Sequence, residues 1–383
     1  MKMRAAHRWA AIGVATLFAT TLTACGGSEA SGDGAKAGAA DVARYQATLD
    51  KWYKGTYKLP EGPAVKAPKA KKIWMVSNGL GVEYNVRVAD GAKQAAAALG
   101  WKMQVFDAKF DPNQMLTGVQ QAVVAKADGI IVVAIDCDTV KNAAQQAADA
   151  GIPVIAIESA DCHPGLYTDV VSYSGGQSFP DWIGDYGRAQ AAWVIAHTKG
   201  QAKAILNTES DTATTRLMSK GQYSEFKKCS TCTILDDVTW VSGDFGSELQ
   251  EKIQQTMVKH PDANAFLPSY DAVMTQSGGA QALISTGRLP QLTVGGGEGS
   301  TAGIAQIRSG KGMQACAGQS SEWEAYSAMD ALVRVFLDRD PGEVDTGNGI
   351  QVCDKDHNLP PKGAPFTPPV DFAAAYKSLW ALG

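Results

Sequence analysis

The chain is poor in histidine, nearly balanced in charge and, past its first residues, without a long apolar run. Five histidines in 383 residues, with His7 in the opening stretch, leave little for general-base or metal chemistry. No Gly-x-Ser-x-Gly, His-Glu-x-x-His or Gly-x-x-x-x-Gly-Lys-Ser/Thr motif occurs, so no catalytic constellation stands out. The formal charge is −4, and no dense basic patch lies outside one short lysine-rich stretch, which argues against a nucleic-acid partner. No apolar run after the opening residues is long enough to span a bilayer. The sequence points away from an enzyme, and nothing in it calls for a cofactor.

What is present begins with Lys2, Arg4 and Arg8, followed by the uncharged stretch Trp9 to Leu22. That pattern reads as an export signal. It ends on Leu22-Thr23-Ala24-Cys25, which resembles the lipobox of bacterial lipoproteins. The resemblance implies removal of residues 1–24 and lipidation of Cys25, hence an extracytoplasmic protein anchored to the cell membrane. Gly26 to Ala40 is too poor in apolar residues to fold alone and reads as a tether. Asp41 to Lys54 carries Tyr45, Leu49 and Trp52 along one side of a short helix. A proline- and lysine-rich extended arm follows, to Lys72. The arm either packs on the body or lifts it off the membrane; packing is favoured, because Trp52, Tyr53 and Tyr57 are costly to leave exposed.

From residue 73 onward the pattern alternates strand and helix. Ile73–Ser77, Gly129–Ile135 and Ile152–Ile157 are apolar strands of the kind found in parallel sheets covered on both faces. Asp111-Pro112-Asn113-Gln114 opens a helix with a cap, a first-turn proline and a capping-box glutamine. A second series runs from Asp181 to the long helix Glu322–Leu337, with one continuous helix expected over Ala272–Thr286. Repeated units of this length imply doubly wound parallel sheets, and two series imply two lobes. Ligands of such sheets bind beyond the carboxyl ends of the strands.

At this level the body resembles the type I periplasmic-binding-protein family, in its ribose-binding-like branch. The stretches that carry the resemblance are Asn85–Ala92, Phe110–Gln114, Ala127–Val132 and Ala150–Ile155, and it covers roughly residues 73 to 340. It implies two Rossmann-like lobes joined by a three-segment hinge, with a ligand cleft between them. Crossings would fall near Ser174, near Gln319 and between Gly342 and Ile350. The expected division is residues 73–174 plus 320–343 for the N-terminal lobe and 175–319 plus 350–383 for the C-terminal lobe. The implied function is solute binding for an ABC importer: capture of a small polar ligand, a sugar or sugar-like compound, by a monomer that closes and is read by a membrane permease. A sensory receptor subunit is the alternative from another class. The family's DNA-binding relatives carry a helix-turn-helix where this chain has its leader and tether.

Carried over residue by residue, the resemblance places ligand contacts on Glu83, Tyr84, Asn85, Asp136, Glu158 and Ser159 in the first lobe. In the second it places them on Arg216, Trp240, Tyr270, Asp271 and Glu298, with Gln319 at the hinge. Plainer readings stand beside these: Arg216 as a surface residue, Trp240 as core, Tyr84 as a cap on the lobe interface, Glu158 and Glu298 as solvated loop acids. The pattern also departs from that of familiar sugar binders. Glu158-Ser159 replaces an Asp-Arg pair, Tyr270-Asp271 an Asn-Asp pair, and Gly295-Gly296-Gly297-Glu298 a Phe-Asp. Loss of that arginine removes a rigid five-donor fork. A modified sugar, a polyol, an aromatic and a small acid therefore all stay open as ligands.

Six cysteines remain after Cys25, an even number suited to an oxidising compartment. Cys137 and Cys162 follow the ends of adjacent strands, and Cys229 and Cys232 form an isolated Cys-x-x-Cys. Cys316 lies on a strand beside which the family topology puts the segment holding Cys353. Three disulfides in that pattern are expected. A zinc site at Cys229 and Cys232 lacks two further soft ligands nearby in sequence. His163 is the one histidine near a strand end in the expected cleft, as a surface or ligand-touching residue.

Overall fold

The computed structural model describes residues 30–382. Cys25 and the leader lie outside the described residues. The first element is the helix α1 (Ala30–Lys54). The first lobe then runs β1 (Lys72–Ser77), α2 (Glu83–Leu99), β2 (Lys102–Asp107), α3 (Pro112–Val124), β3 (Gly129–Val133), α4 (Cys137–Asp149), β4 (Val154–Ile157) and the short β5 (Asp169–Val170). These strands form one sheet of order β2-β1-β3-β4-β5, parallel throughout. Side chains alternate across a strand, and the core follows that rule. Met75, Ile131, Val133, Ile155 and Ile157 pack on the α2 side. Val76, Ile130, Val132, Val154 and Ala156 pack on the α3–α4 side. Asp111 caps α3 by accepting from the Asn113 amide at 2.8 Å, ahead of Pro112.

The second lobe runs α5 (Phe179–His197), β6 (Lys203–Glu209), α6 (Ala213–Phe226), β7 (Thr233–Trp240), α7 (Ser247–Lys259), β8 (Ala265–Leu267), α8 (Asp271–Thr275), α9 (Gly279–Ser285), β9 (Thr293–Val294) and α10 (Thr301–Ser309). Its sheet has the order β7-β6-β8-β9, again parallel. The continuous helix expected over Ala272–Thr286 is two helices. Gly278 takes a φ of 83° between them, a left-handed conformation that ends helical hydrogen bonding.

The chain leaves this lobe through β10 (Ala315–Gly318), builds α11 (Ser321–Val335) against the first lobe, and returns through β11 (Gln351–Asp354). β10 and β11 pair antiparallel, with Cys316 opposite Cys353. The disulfide between them joins the exit and the return. Cys137 is bonded to Cys162 and Cys229 to Cys232.

Two terminal segments modify the expected two-lobe division. The final helix, α12 (Phe372–Leu379), falls with the rest of the tail in the C-terminal lobe of that division, but it docks on the N-terminal one. Tyr376, Leu379 and Trp380 join Trp323, Tyr326 and Met329 of α11, and the Trp380 indole donates to Asp330 at 2.8 Å. The reason is the aromatic face of α11, which needs an apolar cover that α12 supplies. Phe366, a few residues earlier, is still in the second lobe's core, so the tail crosses between lobes once more. The arm packs at the other end. Tyr45 and Leu49 of α1 are buried beside Trp182 of α5, while Val65 lies in the first lobe's core. Between them Thr56, Lys58 and Glu61 form backbone hydrogen bonds to Ile350, Gly347 and Asp345. The arm thus runs alongside the third hinge segment. Among the described residues no helix is long and apolar enough to cross a membrane.

Candidate functional site

The strand ends of the two lobes face each other and enclose a cavity of about 100 Å³. Its wall is built from residues at and just beyond the carboxyl ends of the strands. Asn78 comes after β1, Phe110 after β2, Ala134 after β3, and Glu158 after β4. From the other lobe come Glu209 at the end of β6, Ser269 and Tyr270 after β8, and Glu298 after β9. Helical residues close the sides: Tyr84 and Asn85 of α2, Ile183 and Tyr186 of α5, Thr214, Thr215 and Met218 of α6. Gln319, on the crossing, completes it. Ala134 and Glu158 hold φ values of 52° and 48°, conformations that cost non-glycine residues energy and cluster at ligand sites.

Three carboxyls line this cavity, and each is short of solvent. Glu158 is 6% exposed and accepts from the Gln319 amide at 2.8 Å. Burial pushes its pKa up to about 7, partly offset by the Gln319 hydrogen bond. Glu209 accepts from Ser242 at 2.7 Å and from the Tyr270 hydroxyl at 3.1 Å, and burial raises it to about 7. Glu298 accepts from the Asp271 amide at 2.9 Å. Burial, with the nearby Asp271 charge, raises it to about 8. One layer behind, Glu324 of α11 accepts from the hydroxyls of Tyr84 (2.5 Å) and Tyr173 (3.2 Å). Burial pushes that carboxyl well up, and the Glu158 charge adds to it.

Of the residues singled out from the sequence, Tyr84, Asn85, Glu158, Tyr270, Glu298 and Gln319 line the cavity. Six others do not. Glu83 accepts from the Thr301 amide and hydroxyl, both at 2.8 Å, joining α2 of one lobe to α10 of the other. Asp136 accepts from Ala160 and, across the cleft, from Ala213, both at 2.9 Å. Arg216 sits at the rim with its side chain 46% exposed, donates to the Ser210 carbonyl, and lies 3.8 Å from Asp136. Ser159 bonds Ile135 and Ile157 and holds the loop after β4. Trp240 is 1% exposed in the second lobe's core, its indole on Asn207. Asp271 is buried and accepts from the amides of Gly297, Gly299 and Ser300, which pins the glycine loop. That loop needs its glycines: a Cβ at Gly296 would lie 1.6 Å from the Ala315 oxygen. His163 is exposed and off the lining.

The sequence reading missed Asn78, Phe110, Tyr186 and Glu209. Asn78, Phe110 and Glu209 stand at strand ends, the position that should have flagged them. Tyr186 lies mid-helix on α5, where only packing reveals the face that meets the cavity.

The lobes are latched shut across this cavity. Besides Glu83–Thr301 and Asp136–Ala213, Thr214 donates to the Glu158 carbonyl at 2.9 Å and Gln276 to the Gly81 carbonyl at 2.8 Å. Among the described residues, no triad or metal constellation lies on the lining. The architecture is that of a hinged, two-lobed solute-binding protein in its closed form.

Comparison with known proteins agrees. Residues 73–339 match the periplasmic binding protein domain, and the chain belongs to that family. It is an extracytoplasmic, non-catalytic binding protein. The ribose import binding protein of Salmonella typhimurium is 24% identical over 240 residues, 62% of this chain and 76% of that one. Two solved structures share the fold at a TM-score of 0.62. One is a periplasmic solute-binding protein of an ABC transporter from Actinobacillus succinogenes with bound D-allose: 18% identity, covering 70% of this chain and 92% of that one. The other is a glucose-galactose binding protein from Geobacillus stearothermophilus: 22% identity, covering 71% and 93%.

Proposed function

We propose that the chain is the solute-binding lipoprotein of an ABC importer, and that it captures a small polar compound of sugar size between its lobes. The observation that carries this is the cavity at the facing strand ends, walled by four aromatic rings and three buried carboxyls and sealed by hydrogen bonds from lobe to lobe. Rings suit the weakly apolar faces of a cyclic polyol, and paired polar groups suit its rim. The relatives named for ribose import, allose and glucose-galactose support the ligand class.

In this reading Tyr84, Asn85, Glu158, Tyr270, Glu298 and Gln319 contact the ligand, joined by Asn78, Phe110, Tyr186 and Glu209. Asp136, Arg216 and Glu83 serve closure. The protein acts as a monomer. Lipidation of Cys25 holds it at the membrane, where tethering raises its effective concentration at the permease.

Thermal-shift and calorimetric screening against pentoses, hexoses and polyols tests the ligand class. Saturable binding by at least one, lost in Tyr270→Ala, is the expected result; failure of all of them overturns the class. Cys25→Ala is expected to move the protein from the membrane fraction to the medium, and unchanged fractionation removes the anchor.

A further inference from the structure

We propose that the ligand is a cation: a small polyhydroxylated amine whose ammonium group is held by the cleft carboxylates and faced by the cleft rings. This rests on the reading of the cleft as the site of a solute-binding protein.

The first observation is the charge of the wall. Glu158, Glu209 and Glu298 reach it from the ends of three different strands, and among the described residues no lysine, arginine or histidine lines it. Glu324 adds a fourth carboxyl directly behind Tyr84. Two arginines of the flanking helices are committed elsewhere: Arg216 to Ser210 at the rim, and Arg87 to Glu322 through two bonds of 2.7 and 2.8 Å. A buried carboxylate cluster without a cation is costly, and a bound cation would relieve it.

The second observation is the balance of donors and acceptors. A sugar hydroxyl both donates and accepts, whereas an ammonium group only donates. Most donors on the wall are already spent inside the protein. Gln319 is on Glu158, Tyr270 on Glu209 and Tyr84 on Glu324. The Asn85 amide nitrogen is on Asn78 and Gly79. That pairing fixes the amide's orientation and leaves Asn85 Oδ1 buried without a partner, one more acceptor on the wall. Asn78, Tyr186 and the second N–H of Gln319 are left to serve hydroxyls. The rings of Tyr84, Phe110, Tyr186 and Tyr270 lie on the wall, and an aromatic face attracts a cation.

Burial pushes the three lining carboxyls toward the neutral form, and the charges of Asp271 and Glu158 add to it at Glu298, that of Asp211 at Glu209. A bound ammonium would take the place of those protons. The same charge excludes the small acid that the sequence alone left open.

The test compares matched pairs by calorimetry on the full chain at pH 7.5: glucose with glucosamine, sorbitol with 1-amino-1-deoxysorbitol, and myo-inositol with an amino-deoxyinositol. At least tenfold tighter binding of the amine in one or more pairs is expected, with most of that preference lost in Glu209→Gln or Glu298→Gln. The pair comparison needs no variant, so a misfolded substitution leaves the test standing. Equal or tighter binding of the neutral twin in every pair that binds overturns the cationic ligand and leaves the solute-binding reading intact. Binding by no member of any pair overturns this inference, while the wider screen of pentoses, hexoses and polyols decides the ligand class separately.

Discussion

Glu158, Glu209 and Glu298 are the residues whose environment matters most. Each is an ordinary glutamate made reluctant to ionise by burial, with pKa values of about 7, 7 and 8 against an unfolded value of 4.5. The sign of the consequence comes from linkage. A carboxyl raised in the folded state favours folding fully below its unfolded pKa, and that contribution is lost as pH rises through its folded pKa. The ligand-free protein is therefore expected to lose stability as pH rises from about 4.5 to about 8. Thermal midpoints across that range measure it. Glu298→Gln should flatten the profile, and a midpoint that rises through the range contradicts the assignment. Trp240 makes the opposite point. It stands at the end of β7, where a ligand-facing ring was expected, yet it packs in the core. Trp240→Ala should cost about 3–5 kcal/mol in chemical denaturation, as loss of a large core ring does.

The elements that meet across the cleft do so through their ends. Glu83, in the first turn of α2, accepts from the N-terminus of α10 in the other lobe, where a carboxylate also suits the helix dipole. It is not itself part of the cavity lining. Glu83→Ala is expected to weaken ligand binding several-fold by favouring the open form, without altering which ligands bind. Solution scattering of the ligand-free variant should then show a larger radius of gyration than wild type. The last helix teaches a different lesson about elements. Trp380 is buried against α11 and donates to Asp330, which also pairs with the fully buried Arg334. Trp380→Ala opens a cavity and removes a partner from a buried ion pair. A loss of about 3–5 kcal/mol is expected in equilibrium unfolding.

At the scale of the whole molecule, the lobes are joined by more chain than a three-segment hinge. The arm after α1 runs hydrogen-bonded along residues 345–350, and the tail crosses again between Phe366 and α12. The Cys316–Cys353 bond ties β10 to β11 at the second-lobe side of the crossings. α1 covers an aromatic surface in which Tyr173 and Trp182 stack at 3.8 Å. Deleting residues 42–54 should expose that surface, lower the thermal midpoint and raise binding of a hydrophobic dye. An unchanged midpoint would mean the helix is only a spacer.

Much of this protein was legible in its sequence. Continuous apolar strands such as Ile130–Val133, the Asp111 cap and the strand–helix alternation dictate two parallel sheets, because each is a local pattern with a single covered arrangement. Strand ends name the loops that can reach a cleft, and the family resemblance put Tyr84, Glu158, Tyr270 and Glu298 there; all four line the cavity. What only the tertiary structure decided is where each of those side chains turns. Asp271, at the start of α8, and Glu298, in the loop after β9, are both buried carboxyls, yet one anchors backbone amides of that loop and the other faces the cavity. Glu83 and Tyr84 are adjacent on one helix, yet one latches the lobes and the other lines the site. The fold of α12 back onto the first lobe was equally out of reach. These outcomes depend on contacts between residues far apart in the chain, and spacing along a sequence carries no record of which distant surface still needs a cover.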